Sequence, residues 1–268
     1  MPRHVAFDSL SPAGAVIVLL AAVLPATAEE YRADFRDGRF DKRVLKTTGP
    51  AKYLEPSDDG LHITIPDEPD AENSGVQFPM HLVGDCTLQA TIEIVEIPQP
   101  DSGYGTGVAL LLEDGIDHGA SLQRIRTTEG GEVYIAHNFV IDAQGEYQHE
   151  GQAFPAGSPH AILRMKREKK SLIYEVSEDN GKSYQELRRI DFSDRPLRAV
   201  QVYGQTGGEP NAVTVVLKDL QVSADSMVRT GQTPTETREI VWWQVVALIM
   251  IVIVAVVGIR WAWHRWER

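Results

Sequence analysis

The chain has 268 residues, with 38 acidic against 26 basic side chains and a formal net charge of −12. Phosphate backbones would repel so acidic a protein, so we expect no nucleic acid among its partners. Cys86 is the single cysteine, which excludes an intramolecular disulfide, and the alternating stretch around it predicts a small buried side chain in a strand.

The N-terminal residues have the pattern of a secretory signal peptide. A basic tip at Arg3 and His4 precedes the apolar run 13–24, and PATAEE follows with small residues in an A-x-A pattern. The apolar run would rise only about 18 Å as a helix, short of the roughly 30 Å hydrocarbon core of a bilayer. We therefore expect residues 1–28 to be cleaved rather than retained as an anchor.

Residues 29–223 have the pattern of one all-β domain. Short apolar or alternating runs are bounded by Gly, Pro, Asp and Asn, and helical periodicity is nearly absent. Runs such as LHITI, CTLQATIEI, GVALLLE and SLIYEVS predict about 11 strands, with one or two more near Phe35 and Tyr53. This spacing is typical of an antiparallel sandwich or barrel.

The C-terminal part predicts a membrane anchor. Residues 224–239 are polar and without a pattern, which indicates a stalk. Residues 240–259 hold one polar side chain, Gln244, and predict a transmembrane helix flanked by tryptophans. Arginines in residues 260–268 predict a short cytoplasmic tail by the positive-inside rule, with the β-domain outside the cytoplasm.

The order of the strand motifs resembles the concanavalin A-like lectin/glucanase superfamily. The quoted pattern is DFRDGRF, DDGLHITIP, GVQFPMHLVGDCTLQATIEI, LRMKREKKSLIYEVSEDNGKSY, VQVYG and VVLKDLQV, within residues 31–224. It is most similar to laminin G-like members and to uncharacterised families of bacterial surface proteins. The resemblance implies an antiparallel two-sheet sandwich of jelly-roll type with one concave sheet. Members include glycan-binding lectins, glycoside hydrolases, and adhesion or spacer domains.

The hydrolases of that superfamily carry an E-x-D-x-x-E or E-x-D-x-E motif on a strand. The nearest match is TIEIVEIP, in which Glu93 and Glu96 are three residues apart with no Asp between them. Side chains alternate between the faces of a strand, so an odd spacing places the two carboxylates on opposite faces unless a bulge intervenes. We therefore assign no catalytic residues.

A glycan-binding surface is the remaining possibility for a ligand site. All five tryptophans lie in or beside the predicted anchor, so tyrosines would have to supply the stacking surfaces. Arginine, histidine and asparagine side chains could add polar contacts, although core tyrosines and surface arginines are the simpler interpretation. The candidate ligand-binding residues are Tyr104, Arg124, Arg126, Tyr134, His137, Asn138 and Tyr203.

No cofactor motif is recognisable, and the histidines have no zinc-ligand spacing. The acidic loop DEPDAEN could offer oxygen ligands to calcium through Asp67, Asp70 and Asn73, but it lacks the EF-hand spacing. We expect a solvated loop and no metal.

The stretch SEDNGKSY resembles the Asp box, a hairpin motif best known from sialidases. It occurs once, whereas propeller sialidases repeat it in successive blades. Asn180-Gly181 suits a turn with positive φ, and the Asp179 carboxylate can accept backbone N–H bonds across it. We therefore expect a structural hairpin formed by Ser177, Asp179, Gly181 and Tyr184.

These features together predict a single-pass membrane protein whose extracytoplasmic β-sandwich is a non-catalytic binding or spacer module. Its expected partners are the membrane and a cell-surface glycan or protein. The alternative is a glycoside-acting hydrolase of the same superfamily. An assembled carboxylate pair on the concave face would favour the hydrolase.

Overall fold

The computed structural model describes residues 28–38, 41, 43–115, 117–142 and 144–229. Most of this part of the chain forms two antiparallel sheets. The strands of the first sheet are β1 (Glu29–Asp34), β3 (Leu54–Ser57), β4 (Gly60–Ile65), β6 (Met80–Glu96), β11 (His160–Glu168), β12 (Ser171–Ser177), β13 (Gln185–Asp191) and β15 (Val213–Arg229). Their order is β13-β12-β11-β6-β15-β4-β3, and β1 pairs with β15.

The second sheet faces the first across the core. Its strands are β2 (Lys46–Thr48), β5 (Ser74–Phe78), β7 (Thr106–Glu113), β8 (His118–Arg126), β9 (Glu132–Ile141), β10 (Tyr147–Pro155) and β14 (Ala199–Gln205). Their order is β10-β9-β8-β7-β14-β5-β2. A 3₁₀ turn, Ala51–Tyr53, is the one helical element among the described residues. The prediction of an all-β, antiparallel two-sheet sandwich is confirmed.

Alternation along each strand divides its side chains between the core and the outer face of its sheet. In β6, the core positions are Cys86, Leu88, Ala90 and Ile92, each 5% exposed or less. Burial raises the pKa of the Cys86 thiol to about 11, so Cys86 is a buried, protonated side chain, as its alternating surroundings predicted.

The two long strands β6 and β15 pair along most of their lengths and form the centre of the first sheet. Shifts in their register leave Val95 on β6 and Lys218 on β15 as extra residues without a directly opposite partner. Such bulges change which face the following side chains point to. This matters for the charged residues on the outer face of the first sheet, described below.

The predicted stalk at residues 224–239 begins too early. Residues 224–229 continue β15, where Met227 pairs with Leu82 and Arg229 with Met80. The Met227 N–H also donates a hydrogen bond of 2.8 Å to the Glu29 carboxylate. A register shift after Ala224 breaks the alternation, and the segment therefore looks patternless in the sequence.

The other terminal predictions cannot be compared with the fold. The signal peptide apart from residue 28, the rest of the stalk, the transmembrane helix at 240–259 and the tail at 260–268 lie outside the described residues. Among the described residues, no helix is long and apolar enough to span a bilayer.

Candidate active site

The outer face of the second sheet carries a groove of about 570 Å³. Its lining comes from outward positions of the five neighbouring strands β10, β9, β8, β7 and β14, and from the loop before β7. The intervening positions, such as Leu110 and Leu122, are fully buried in the core. The residues that line the groove are Tyr104, Leu111, Ser121, Gln123, Ile135, His137, Phe139, Tyr147, His149, Tyr203 and Gln205.

One side of the groove is an aromatic wall. The rings of Phe139 and Tyr147 stack with their centroids 5.0 Å apart and their planes 20° from parallel. The Phe139 ring lies over Gly119 of the neighbouring strand β8, where a Cβ atom would collide with it. Gly119 therefore makes room for this ring to lie across the sheet.

Glu113 places a carboxyl beside this wall. It ends β7 and points to the same face as Leu111, two residues earlier. Gly119 pairs with both Glu113 and Phe139, so the ring over Gly119 extends toward the carboxyl. Burial raises the pKa of Glu113 above its ordinary value. Glu113 is also a secondary cause, after burial, of the raised pKa of Tyr147, which places the two groups close together.

A chain of neutral polar side chains crosses the floor of the groove. The Gln205 amide donates a hydrogen bond of 3.0 Å to Gln123 Oε1, and the Gln123 amide donates one of 2.9 Å to Ser121 Oγ. Ser121 Oγ lies 3.5 Å from His137 Nδ1. The pKa of His137 is lowered mainly by burial and then by the nearby charges of His149 and Arg188. The imidazole is therefore neutral at pH 7.

Three of the residues predicted to bind a ligand do line the groove. His137 lies on its floor, and Tyr203 and Tyr104 lie toward the side opposite the aromatic wall. Tyr104 is 57% exposed, so one face of its ring is available to a ligand. The residues come from three separate chain segments, and the fold brings them together at this face.

The other four predicted residues lie outside the groove, because they occupy the inward positions of β8 and β9. Arg124 is 1% exposed and donates hydrogen bonds to the backbone oxygens of Ile125 and Ser158. It also forms an ion pair with Glu132. The Arg126 guanidinium donates to the Ile97 carbonyl.

The two inward residues of β9 make similar internal contacts. The Tyr134 hydroxyl donates a hydrogen bond of 2.8 Å to the Glu178 carboxylate. The Asn138 side-chain oxygen accepts one of 3.0 Å from Arg188 on the edge strand of the first sheet. These inward arginine, tyrosine and asparagine side chains thus join the two sheets.

Sequence reasoning missed Glu113, which lies beside the groove, and it missed Ser121, Gln123, Phe139 and several other residues that line it. A signal was present in ASLQRIR, where polar Ser121 and Gln123 flank the apolar Leu122 and therefore share the outer face. Glu113 had no comparable signal, because VALLL before it is apolar on both faces. Its importance depends on Gly119 and Phe139, which only the strand register brings next to it.

One of the candidate metal ligands in the acidic loop makes a contact within the fold. Among the described residues, no group of three or more His, Cys, Asp or Glu side chains is placed to hold an ion. In the weak candidate set Asp67, Asp70 and Asn73, the Asn73 side-chain oxygen accepts a hydrogen bond of 3.0 Å from the Thr206 N–H. Asn73 thereby links this loop to the end of β14.

The Asp-box stretch forms the turn between β12 and β13. Asp179 accepts hydrogen bonds from the Ser177 hydroxyl and from the backbone and hydroxyl of Ser183, at 2.6–2.9 Å. These bonds, led by that of the Ser183 hydroxyl, lower the pKa of Asp179 to about 2. Asn180 and Gly181 have φ of 59° and 83°, the positive values that the sequence predicted.

Tyr184, the last residue of the motif, holds the hairpin against the outer face of the first sheet. Its hydroxyl donates a hydrogen bond of 2.8 Å to Gln89, and the Arg164 guanidinium lies 3.2 Å from its ring centroid.

The outer face of the first sheet carries a second, smaller cavity of about 320 Å³, whose lining includes several charged residues. Lys218 Nζ lies 2.7 Å from the Glu93 carboxylate and 3.5 Å from that of Asp59. His62 Nε2 lies 2.7 Å from the other Asp59 oxygen. We call Asp59, His62, Glu93 and Lys218 the charged cluster.

The expectation that Glu93 and Glu96 point to opposite faces is wrong. Val95 is the extra residue of the bulge, so Glu96 pairs with Thr214 and Glu93 with Val216. Val213 and Val215 of the same strand belong to the core, so Thr214 and Val216 face outward. Both glutamates therefore lie on the outer face of the first sheet, away from the groove.

Several solved structures share this fold. A glycoside hydrolase family 16 endo-glucanase from Bacteroides ovatus is 9% identical, with a TM-score of 0.52 over 72% of this chain and 99% of that one. The Crh5 transglycosylase is 12% identical, with a TM-score of 0.52 over 74% and 85%. A GH43 protein from Bacillus licheniformis, BlXynB, is 9% identical, with a TM-score of 0.54 over 72% and 39%. At these identities the likeness shows the fold alone.

These matches correct the expected function. Our expectation of a non-catalytic binding or spacer module is contradicted, because these three proteins of the same fold are described as a family 16 endo-glucanase, a transglycosylase and a GH43 protein. The concanavalin A-like sandwich is confirmed as the fold, and the finer likeness to laminin G-like and surface-protein families stays a prediction.

A comparison with curated protein sequences found no match. The family model described as "Protein of unknown function (DUF1583) C domain" matches residues 12–241, which is most of the chain. The chain therefore belongs to the DUF1583 C domain family.

Proposed function

We propose that this protein is a glycoside hydrolase that binds a glycan in the groove and uses Glu113 as its proton donor. The observation that carries the proposal is the raised pKa of Glu113, caused by burial beside the aromatic wall. A general acid must keep its proton near the working pH, and burial in apolar surroundings is the usual way to achieve this for a carboxyl.

The shape and lining of the groove support a sugar ligand. Its volume of about 570 Å³ lies within the ordinary range for small-molecule sites. The rings of Phe139, Tyr147 and Tyr104 offer apolar surfaces against which the C–H faces of a sugar can pack. His137, on the floor, offers a neutral ring nitrogen that can form a hydrogen bond with a sugar hydroxyl.

The proposed reaction is hydrolysis with one proton transferred by the protein. Glu113 gives its proton to the glycosidic oxygen as the bond from that oxygen to the anomeric carbon breaks. A water oxygen forms the new bond to this carbon and releases a proton, and a proton from solvent restores the Glu113 carboxyl. The described residues that line the groove include no carboxyl that could act as a nucleophile alongside Glu113.

Attack by water in one displacement inverts the configuration of the anomeric carbon. The test is a hydrolysis screen of neutral and charged polysaccharides with the purified protein, followed by NMR of the fresh product. We expect new reducing ends and an inverted anomer. Binding without cleavage across the panel would overturn the proposal, and a retained anomer would show a covalent intermediate that the groove does not explain.

We also propose that the groove works outside the cytoplasm, on a chain tethered by residues 240–259. The support is the sequence pattern of the two ends, which lie outside the described residues. Protease added to intact spheroplasts should digest the β-sandwich and leave residues 260–268 protected. A protected sandwich would contradict this location.

A further inference from the structure

The hydrogen-bonded polar side chains beneath the groove are almost fully buried, although they carry no charge. Gln205 is 1% exposed, Ser121 2% and Gln123 9%. Buried amides and hydroxyls are costly unless they are hydrogen-bonded, and here each one bonds to the next. The chain ends at His137 Nδ1, on the floor of the groove.

Small residues on β7 allow the hydrogen bond between the two glutamines to pass over that strand. Gln205 lies on β14 and Gln123 on β8, so β7 runs between them. The β7 residue that pairs with Gln205 is Gly107, and the one that pairs with Gln123 is Ala109. Longer side chains at these two positions would fill the space in which the two glutamines meet.

The orientations of the two glutamine amides set the direction of each hydrogen bond. Gln205 donates to the Gln123 carbonyl, which leaves the Gln123 amide nitrogen as the donor to Ser121 Oγ. A serine hydroxyl that accepts from an amide still has its own proton to donate. The neighbouring acceptor is His137 Nδ1, at 3.5 Å.

We propose that Gln205, Gln123 and Ser121 are positioning residues that hold His137 as the tautomer with its proton on Nε2. His137 then presents an N–H donor to an oxygen acceptor in the groove, and it does not act as a base. That this acceptor belongs to a sugar rests on the proposed function, whereas the tautomer does not.

The surroundings of His137 agree with a neutral donor. The backbone carbonyl of His137 accepts a hydrogen bond of 3.0 Å from the Tyr174 hydroxyl, which fixes the strand beneath the ring. The His149 ring lies 5.8 Å away, and Arg188 is the nearby cation. No carboxylate among the described residues forms an ion pair with His137, so nothing there favours a doubly protonated ring.

The test is ¹⁵N NMR of the histidine rings in the intact protein at pH 7, with no ligand added. In the unmodified protein, we expect His137 to carry its proton on Nε2. Ser121→Ala removes one neutral hydrogen bond. It should lower the ratio of the Nε2-protonated to the Nδ1-protonated tautomer of His137 about two- to tenfold. Gln123→Leu should shift the ratio in the same direction by a smaller factor, since Ser121 remains.

Gln201→Leu is the matched control. Gln201 also lies on β14, between Tyr203 and Ala199, but it is not one of the hydrogen-bonded polar residues that lead to His137. It should leave the tautomer unchanged. A proton on Nδ1 in the unmodified protein would overturn the proposal, even if every variant failed to fold. An unchanged ratio in a folded Ser121→Ala variant would overturn it as well. If the unmodified protein carries the Nε2 proton on His137 but cleaves no glycan, only the proposed function is contradicted.

Discussion

The outer faces of the two sheets treat their carboxyl groups in opposite ways. Beside the groove of the second sheet, Glu113 lies close to aromatic rings and burial raises its pKa. On the first sheet, Asp59 lies in the charged cluster, where the hydrogen bond from His62 is the main cause of a pKa lowered to about 2. The surroundings thus disfavour the charged form of a carboxyl on one face and favour it on the other.

The difference shows why two carboxylates near each other are poor evidence for catalysis. Glu93 and Asp59 share the Lys218 ammonium, so each already has a cationic partner. A general acid needs the reverse, which is an environment that disfavours its charged form. By this criterion Glu113 is the better candidate, although the sequence drew attention to Glu93.

The largest effect should come from removing the proposed acid. Glu113→Gln should lower the turnover of any polysaccharide that the protein cleaves by about 100-fold or more, because an amide cannot donate a proton in this way. Glu93→Gln, in the charged cluster, is the control and should leave turnover nearly unchanged. An inactive Glu93→Gln beside an active Glu113→Gln would contradict the assignment of Glu113 as the acid.

The pH dependence of stability gives a second test of Glu113. Since the pKa of Glu113 is raised in the folded state, its contribution to stability is full below the unfolded pKa and is lost as pH rises through the folded value. Denaturant unfolding at several pH values should show this loss in the unmodified protein and not in Glu113→Gln. Turnover should fall over the same pH window, and identical stability profiles would contradict the assignment.

A smaller effect should come from Gly119, which makes room for the aromatic wall. Gly119→Ala forces the Phe139 ring to move and should cost about 1–3 kcal/mol in the free energy of unfolding. The displaced ring should also let water reach Glu113 and lower its pKa toward the ordinary value. Gly131→Ala is the control, because a Cβ there meets only the Thr127 hydroxyl at 3.5 Å. Equal melting temperatures for the two variants would contradict this role of Gly119.

Much of the fold could be predicted from alternation, but the exceptions were instructive. The alternating β8 and the apolar β7 were predictable, whereas the edge strand Tyr147–Pro155 was missed because nearly all its residues are exposed. A bulge at Val95 defeated the parity argument for Glu93 and Glu96. The candidate site residues that face outward, such as His137, line the groove, whereas those that face inward, such as Arg124, are buried between the sheets. Sequence alone does not reveal which face becomes the groove.

The Asp-box hairpin gives a further test at the edge of the first sheet. Gly181→Val should cost about 1–3 kcal/mol, because φ of 83° is strained for a β-branched residue and Ile162 lies 3.3 Å from the new Cβ. Asp179→Ala removes three hydrogen bonds in the turn and should lower the melting temperature. Neither change should selectively remove turnover, when it is measured well below the new melting point.

Gly131→Val serves as the reference for this pair, since its backbone does not require a positive φ. An unchanged melting temperature for Asp179→Ala would defeat the structural account of the motif. Lost turnover at an unchanged melting temperature would instead place the hairpin in the active site.

The smallest effects should come from the charged cluster, where the order of two variants is the prediction. His62→Leu removes the main cause of the lowered Asp59 pKa and should raise that pKa more than Lys218→Met, whose charge is a lesser cause. Because the pKa of Asp59 is lowered in the folded state, Asp59 stabilises the fold at pH values above its unfolded pKa. This stabilisation is lost as pH falls through about 2, so both variants should resist acid less well. Lys170→Met, in the exposed pair with Asp194, is the control and should leave Asp59 unchanged. NMR titration of the Asp59 carboxyl measures all three variants, and a larger shift in Lys218→Met than in His62→Leu would show that the ammonium, not the imidazole, keeps this face ionised.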